Sequence, residues 1–428
     1  MKKDIVKEMP KVLVCTINSW NSKIGDNTFQ LLLEQIPADN LASVFIREDT
    51  PDSPACNNYF RISEGRVIKS ILNRRTVTGE KVTTNENDST NAKEQQIKLY
   101  QTKNRNYYLK LFLREIVWKF GKWKTKELDD FIAEFSPDVI VYEMSRYIHL
   151  NNIVKYILKR SGAKGIGCFW DDTFTYKQEK LLGFKMLRYF QRKNLKKLAS
   201  ATTSFFAITE KTKCEADEFF GINCTVLTKP VLRNNDEFKE YEPNTVIKLL
   251  YTGNLGIGRF ETIKLIGDAL NEINQKNTKI EIDVYSATFL SEEKLKSLGK
   301  YVHFLGTIPQ TQIPEIQSKA DVLVFAESID GANDKIARLS FSTKLTDYFS
   351  AGKCILAIGN SDTAPMEYLK ENEAALTASS YEEIIAALKF MVANKQTLLE
   401  YAKKSFDLGR KNHNKEDIQQ KMMSAILS

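Results

Sequence analysis

Apolar residues recur in two rhythms along this chain. Short apolar runs bounded by turn residues, the pattern of buried strands, fall at 11–17, 42–46, 139–142, 165–170 and 205–208. A second series falls at 247–251, 280–285, 302–305, 322–325 and 354–358. Between the runs, apolar positions recur at helical spacing, as over 28–35, 126–135, 151–160, 181–198, 313–320, 388–401 and 418–426. Residues 57–70 show neither rhythm and read as irregular, 85–96 as a polar mobile segment, and 233–244 as a linker. Strand–helix alternation repeated twice predicts the α/β class, with two doubly wound Rossmann-like domains and a cleft between them. The expected domains are 1–232 and 246–405, with a terminal helix in 406–428 packing back on the first.

Composition narrows the picture only a little. The 428 residues are 42% hydrophobic and 27% charged, ordinary for a globular chain of two domains. Six cysteines without a Cys-x-x-Cys pair suggest reduced thiols in the cytoplasm, and three scattered histidines argue against a zinc site. The first apolar run is too short for a signal segment or a membrane span. Charge divides unevenly: residues 1–230 carry 38 Lys+Arg against 27 Asp+Glu, a balance of +11, which leaves −3 for the remainder. The first half therefore suits an anionic partner, or else carries an excess of solvated lysines. Within it, 105–124 interleaves Tyr, Phe and Trp with Lys and Arg. That stretch fits a helix lying in a membrane interface, or one packing its apolar face inward.

The candidate chemistry centres on residues 247–269. A buried run ends in Gly253, Asn254, Gly256 and Gly258, and a helical pattern with Arg259 at its mouth follows. Strand, glycine loop and helix aim backbone N–H groups and a helix N-terminus at an anion, usually phosphate. A P-loop competes for the same residues, since Gly253 and Gly258 have its spacing, but it fits weakly because Arg259 and Phe260 stand where lysine and a hydroxyl are needed. A dinucleotide fingerprint fits as weakly, with Glu261 in the third glycine's place and Ser286 where the acid should close the next strand. A glycine turn without a ligand stands as the plain alternative. Ser342, Thr343 and Lys344 open a second helix after a strand of the same series, adding hydroxyls and an ammonium. Two cations at two βα junctions suit a diphosphate.

Residues 251–259 (Tyr-Thr-Gly-Asn-Leu-Gly-Ile-Gly-Arg), 302–309, 316–324 and 342–353 (Ser-Thr-Lys-Leu-Thr-Asp-Tyr-Phe-Ser-Ala-Gly-Lys) form an ordered set. Together they resemble the donor domain of retaining glycosyltransferases of the GT-B fold, family four; 136–141 and 205–210 fit more loosely. The resemblance implies that Arg259 and Lys344 hold the donor diphosphate, with Ser342 and Thr343 as loop donors. By the same likeness Gly253, Asn254 and Gly256 shape the donor loop, Asp347 stands where the family has a glutamate for the ribose, and Gly25 approaches the donor from the first domain. Asp172 falls near the family's His or Asp facing the reacting sugar, and is taken with Arg259 and Lys344 as catalytic. The family's paired glutamates are altered. Leu339 stands eight positions before Asp347, and Glu327 opens the intervening loop as a candidate substrate contact.

The activity so implied is transfer of a sugar from a nucleoside-diphosphate sugar to an acceptor hydroxyl, with retention and no metal or other cofactor. The expected acceptor is a saccharide or lipid-linked saccharide in bacterial surface glycan assembly. The expected location is the cytoplasm, with peripheral contact to the anionic inner face of the membrane and no nucleic acid partner. Two rivals stand beside it: a non-catalytic accessory subunit of a transferase, and a sugar-nucleotide epimerase of the same fold.

Overall fold

The computed structural model describes residues 9–21, 28–84, 107–231, 237–331 and 333–428. Two compact units divide the chain, Met1–Leu227 with Ile418–Ser428, and Thr228–Asp417. In the first, eight strands form one sheet: β1 (Val12–Cys15), β2 (Leu41–Phe45), β3 (Asn58–Ile62), β4 (Gly79–Val82), β5 (Val139–Glu143), β6 (Lys164–Phe169), β7 (Ser204–Ala207) and β8 (Cys224–Val226). Their order is β4-β3-β2-β1-β5-β6-β7-β8, parallel throughout except for the edge strand β4. The chain winds outward from β1 on one side, then returns to build from β5 on the other. Strands covered on both faces have no solvent side, so β1 and β2 are buried at every position; β1 is apolar throughout, and Ser43 is the one polar residue of β2.

The second unit holds six parallel strands, β9 (Ile247–Thr252), β10 (Ile280–Tyr285), β11 (Val302–Gly306), β12 (Val322–Ala326), β13 (Cys354–Ile358) and β14 (Leu376–Ala378), in the order β11-β10-β9-β12-β13-β14. Winding reverses between β9 and β12, the place in such a sheet where loops part and a ligand crevice opens. Its core joins strand residues such as Leu249, Ile282, Val324 and Leu356 to Ile263, Ile266 and Leu270 of the helix Arg259–Ile273.

Three expectations are corrected. Residues 57–70 are not irregular: Tyr59, Phe60 and Ile62 are buried in β3, and Ser63 caps the helix Glu64–Leu72 by accepting from the Arg66 N–H at 3.2 Å. The strand is only five residues long and its partner β4 carries charge, so no periodicity stood out. The stretch read as a linker is anchored from its later part onward. Tyr241 donates to the Asp321 carbonyl at 2.8 Å, and Asn244 binds the Asp321 carboxylate at 3.1 Å. Residues 232–236 lie outside the described residues, as do 85–96. The single helix expected over 388–401 is two helices, Tyr381–Ala393 and Gln396–Asn412, broken at Asn394 and Lys395.

The final helix, Lys415–Leu427, buries Ile418, Met422, Met423 and Ile426 in the core cluster of the first unit, beside Val12, Leu32 and Val141. Gln419 fixes its place by donating to the Leu31 carbonyl at 2.6 Å.

Candidate functional site

The glycine loop leaves β9 through Gly253, whose φ of 140° suits a residue without a side chain. A β-carbon there would stand 2.5 Å from Cε of Lys344, so glycine is also what lets the lysine lie against the backbone. Asn254 shapes the turn: its Oδ1 accepts from the Gly256 N–H at 2.5 Å, and its carbonyl accepts from the Tyr251 hydroxyl at 2.7 Å. Ile257 follows at φ 57°, a costly conformation for a β-branched residue, and Gly258 at φ 77° caps the helix Arg259–Ile273. A β-carbon on Gly258 would lie 2.6 Å from that of Ser328, so the loop after β12 packs directly against this turn.

Arg259, the first helical residue, is clamped. Its Nε donates to Glu327 Oε2 at 3.1 Å and its Nη2 to Oε1 at 2.9 Å, a two-pronged pair with both side chains largely buried. Burial works against the guanidinium's charge, but the Glu327 carboxylate outweighs it and raises the Arg259 pKa. Thr262, one turn on, donates to the Glu327 carbonyl at 2.7 Å and holds that residue from behind. In this structure Glu327 is therefore Arg259's partner.

Lys344 sits differently. Ser342 is the N-cap of the helix Thr343–Ala351, although no side-chain hydrogen bond is made by its hydroxyl at the cap, and Lys344 reaches back over β9. Its ammonium donates to the Tyr251 hydroxyl at 3.5 Å and lies 4.7 Å from the centre of that ring. Among the described residues it makes no ion pair. Burial pushes its pKa down to about 8, Arg259 pushes the same way, and Glu327 and Asp347 resist. The structure thus brings Arg259 and Lys344 within electrostatic reach of each other, one in a direct ion pair with Glu327 and the other, among the described residues, in none.

A cavity of about 300 Å³ opens beside Lys344. Thr252, Gly253 and Asn254 form one wall, Tyr285, Ser286 and Ala287 after β10 a second, and Thr307 and Ile308 after β11 a third. Ile313 and Gln317 also line it, as do Lys344, Asp347 and Tyr348 of the helix Thr343–Ala351. Asp347 is solvent-exposed at this rim, and Leu339 is fully buried in the core. The sequence assigns no site role to the wall residues Ser286, Thr307 and Gln317. Their signal was position alone, since each follows or faces the carboxyl end of a strand where such sheets place ligands.

The remaining candidates lie elsewhere or have other occupations. Gly25 lies outside the described residues. Thr343 lends its carbonyl to the Thr346 hydroxyl at 2.7 Å, inside its own helix. Asp172 belongs to the first unit, where the chain leaves β6, and is 2% exposed. One of its oxygens accepts from the Thr175 N–H at 2.9 Å and the other from the Thr175 hydroxyl. Its carbonyl accepts from Arg188 at 3.3 Å, and the same arginine donates to Gln178 at 2.8 Å.

No protein-family model and no curated protein matches the sequence. Solved structures do. A sucrose-phosphate synthase from Thermosynechococcus elongatus superposes with a TM-score of 0.61 at 11% identity, covering 97% of each chain. Anabaena HepE in complex with UDP gives 0.60 at 12%, covering 97% of this chain and 99% of its own. A trehalose-6-phosphate synthase, studied with bisubstrate glycomimetics for glycosyltransfer with retention, gives 0.60 at 12%, covering 97% and 98%. At such identities the likeness establishes architecture: the chain has the GT-B fold, two Rossmann-like α/β units.

Proposed function

We propose that this protein is a glycosyltransferase that takes its sugar from a nucleoside-diphosphate donor. The observation that carries the reading is the Lys344 ammonium, which makes no ion pair among the described residues and lines a cavity of about 300 Å³ at the carboxyl ends of β9, β10 and β11. The base and ribose would occupy the space between Ser286, Thr307 and Asp347, leaving the diphosphate against Gly253 and Lys344. A partly buried cation without a direct ion-pair partner among the described residues is costly, and a diphosphate would supply one. The likeness of the whole chain to structures solved with UDP and UDP-glucose supports the same donor class.

In this reading the bond from the sugar's anomeric carbon to the diphosphate breaks as the acceptor oxygen forms the new glycosidic bond on the same face, which is retention. The acceptor's proton passes to the departing diphosphate. Lys344 and Arg259 stabilise the charge that grows there, and no metal ion is needed for that role. The acceptor is a saccharide, free or lipid-linked, with bacterial surface glycan assembly as the setting.

The test is a thermal-shift panel of nucleoside diphosphates and their sugars, followed by donor turnover with and without acceptor in the presence of a chelator. Stabilisation by one diphosphate and chelator-resistant sugar transfer are expected. Binding without turnover would instead make the protein an accessory subunit, and a changed sugar still attached to its nucleotide would make it an epimerase.

A further inference from the structure

We propose that the first unit carries a docking surface for an anionic lipid bilayer, built from three packed helices that no part of the donor site uses. Of the twenty exposed large hydrophobic side chains among the described residues, eleven fall on the helices Glu64–Leu72, Tyr107–Phe120 and Leu182–Ala199 or on Leu181 at the start of the third. Leu72 is 94% exposed and Leu182 73%, and Leu109, Leu113, Met186 and Phe190 stand out with them. Such a concentration is not the scattered apolar exposure of an ordinary surface.

The helices are held as one platform. Arg114 pairs with Glu64, and Arg74 donates to the Phe120 carbonyl at 2.9 Å. The rings of Tyr108 and Phe184 meet at 5.7 Å and those of Phe112 and Phe190 at 6.0 Å. These aromatic contacts hold the helices together, and Trp118 is buried against His149. The interior has its own set of side chains, and most of the exposed set is additional to it.

Charge identifies the occupant. The helix Leu182–Ala199 contains six Lys and Arg residues and no Asp or Glu. Glu64 is occupied by Arg114, and Glu115 accepts from the backbone N–H groups of Ile148 and His149 at 3.2 and 2.9 Å. Exposed Lys69, Lys110, Lys185 and Lys193 therefore border the apolar side chains without a carboxylate from these helices to offset them. A second copy of the same face would set lysine against lysine. An anionic bilayer accepts both features, because leucine and methionine enter the acyl boundary while lysine stems extend their ammonium groups to the headgroups. No helix among the described residues is long and apolar enough to cross a membrane, so the contact lies along the surface.

This inference does not rest on the transferase reading, and vesicle binding is measured without nucleotide. The full chain should co-sediment with phosphatidylcholine vesicles containing phosphatidylglycerol, poorly with phosphatidylcholine alone, and less as salt rises. Leu182→Ser with Met186→Ser should weaken binding roughly tenfold or more, as loss of two inserted side chains requires. Lys185→Glu with Lys193→Glu should weaken it while leaving the thermal midpoint in place. Absence of binding to anionic vesicles, or binding untouched by both pairs, overturns the proposal. So does a dimer dissolved by these substitutions in a chain that ignores vesicles, which would assign the face to protein contact.

Discussion

The side chain of Lys344 lies where a β-carbon on residue 253 would have to go, 2.5 Å from its Cε, so the lysine's position depends on Gly253 having no side chain. The two residues are far apart in sequence and meet because β9 is next to β12 in the sheet and the helix Thr343–Ala351 follows β12. Gly253→Ala adds a methyl group at φ 140° and displaces the ammonium at once. It should cost about 1–3 kcal/mol of folding stability. Nucleoside-diphosphate affinity, read by calorimetry, should fall as far as it does in Lys344→Ala. Unchanged affinity in Gly253→Ala would separate the lysine from the ligand.

Lys344 also sets a pH dependence. With its pKa near 8 in the free protein, the ammonium is protonated at about pH 7 and largely neutral by about pH 9. A bound diphosphate restores the proton, so binding takes up a proton above about pH 8. Affinity should hold up to about pH 7.5 and then drop by roughly tenfold per unit at most. Stability of the free protein runs the other way between about pH 8 and the ordinary lysine value, rising with pH because the unfolded chain there binds more protons than the folded one. Lys344→Met should bind nucleotide more weakly at neutral pH, by ~1.5–3 kcal/mol. Its affinity should then show none of the alkaline decline.

The buried pair of Arg259 and Glu327 yields a different expectation. Each holds the other in a fixed geometry, and removing one leaves the other's charge unanswered in a largely enclosed place. Glu327→Ala should cost roughly 3 kcal/mol of stability, and Arg259→Ala about as much. The double substitution should cost clearly less than the sum, as denaturant titration of all four proteins would show. Nucleotide binding should fall in Arg259→Ala by ~1.5–3 kcal/mol, and in Glu327→Ala by less, because an unclamped arginine keeps its charge.

How legible this was depended on what kind of signal each feature leaves. Buried parallel strands such as β12 and β13 announce themselves, since every position is apolar. The edge strand β4, with Gly79, Glu80 and Lys81, has no such run, and its antiparallel place beside β3 is decided by the sheet rather than by its own residues. The glycine loop was visible because its backbone excludes side chains at 253 and 258. Glu327 was visible as a candidate, but its partner was not. Arg259 lies 68 residues away, and only the meeting of two loops past β9 and β12 reveals the pair. The pocket wall was hidden for the same reason, because Ser286 and Thr307 are ordinary polar residues until the strand order places them side by side. Asp172 shows the converse: its place after a strand was readable, whereas its engagement with Thr175 was not.

Asp172 therefore poses a choice between chemistry and architecture that one substitution can resolve. Both carboxylate oxygens are engaged by Thr175, and the Asp172 charge is also what favours the ionised form of Arg188, whose pKa burial has pushed down to about 10. Two of the Arg188 nitrogens, Nε and Nη1, are buried without a hydrogen-bond partner among the described residues, so this corner of the first unit can ill spare a negative charge. Asp172→Asn keeps an oxygen for the Thr175 N–H and a donor for its hydroxyl, but removes that charge. If the residue acts on the fold, Asp172→Asn should lower stability by about 1–3 kcal/mol, Asp172→Ala by more, and turnover per folded molecule should stay near that of the parent. If it acts on the reacting sugar, turnover should collapse in Asp172→Asn while the thermal midpoint barely moves. The hydrogen bonds favour the first outcome, and paired measurements of midpoint and turnover on the two variants decide it.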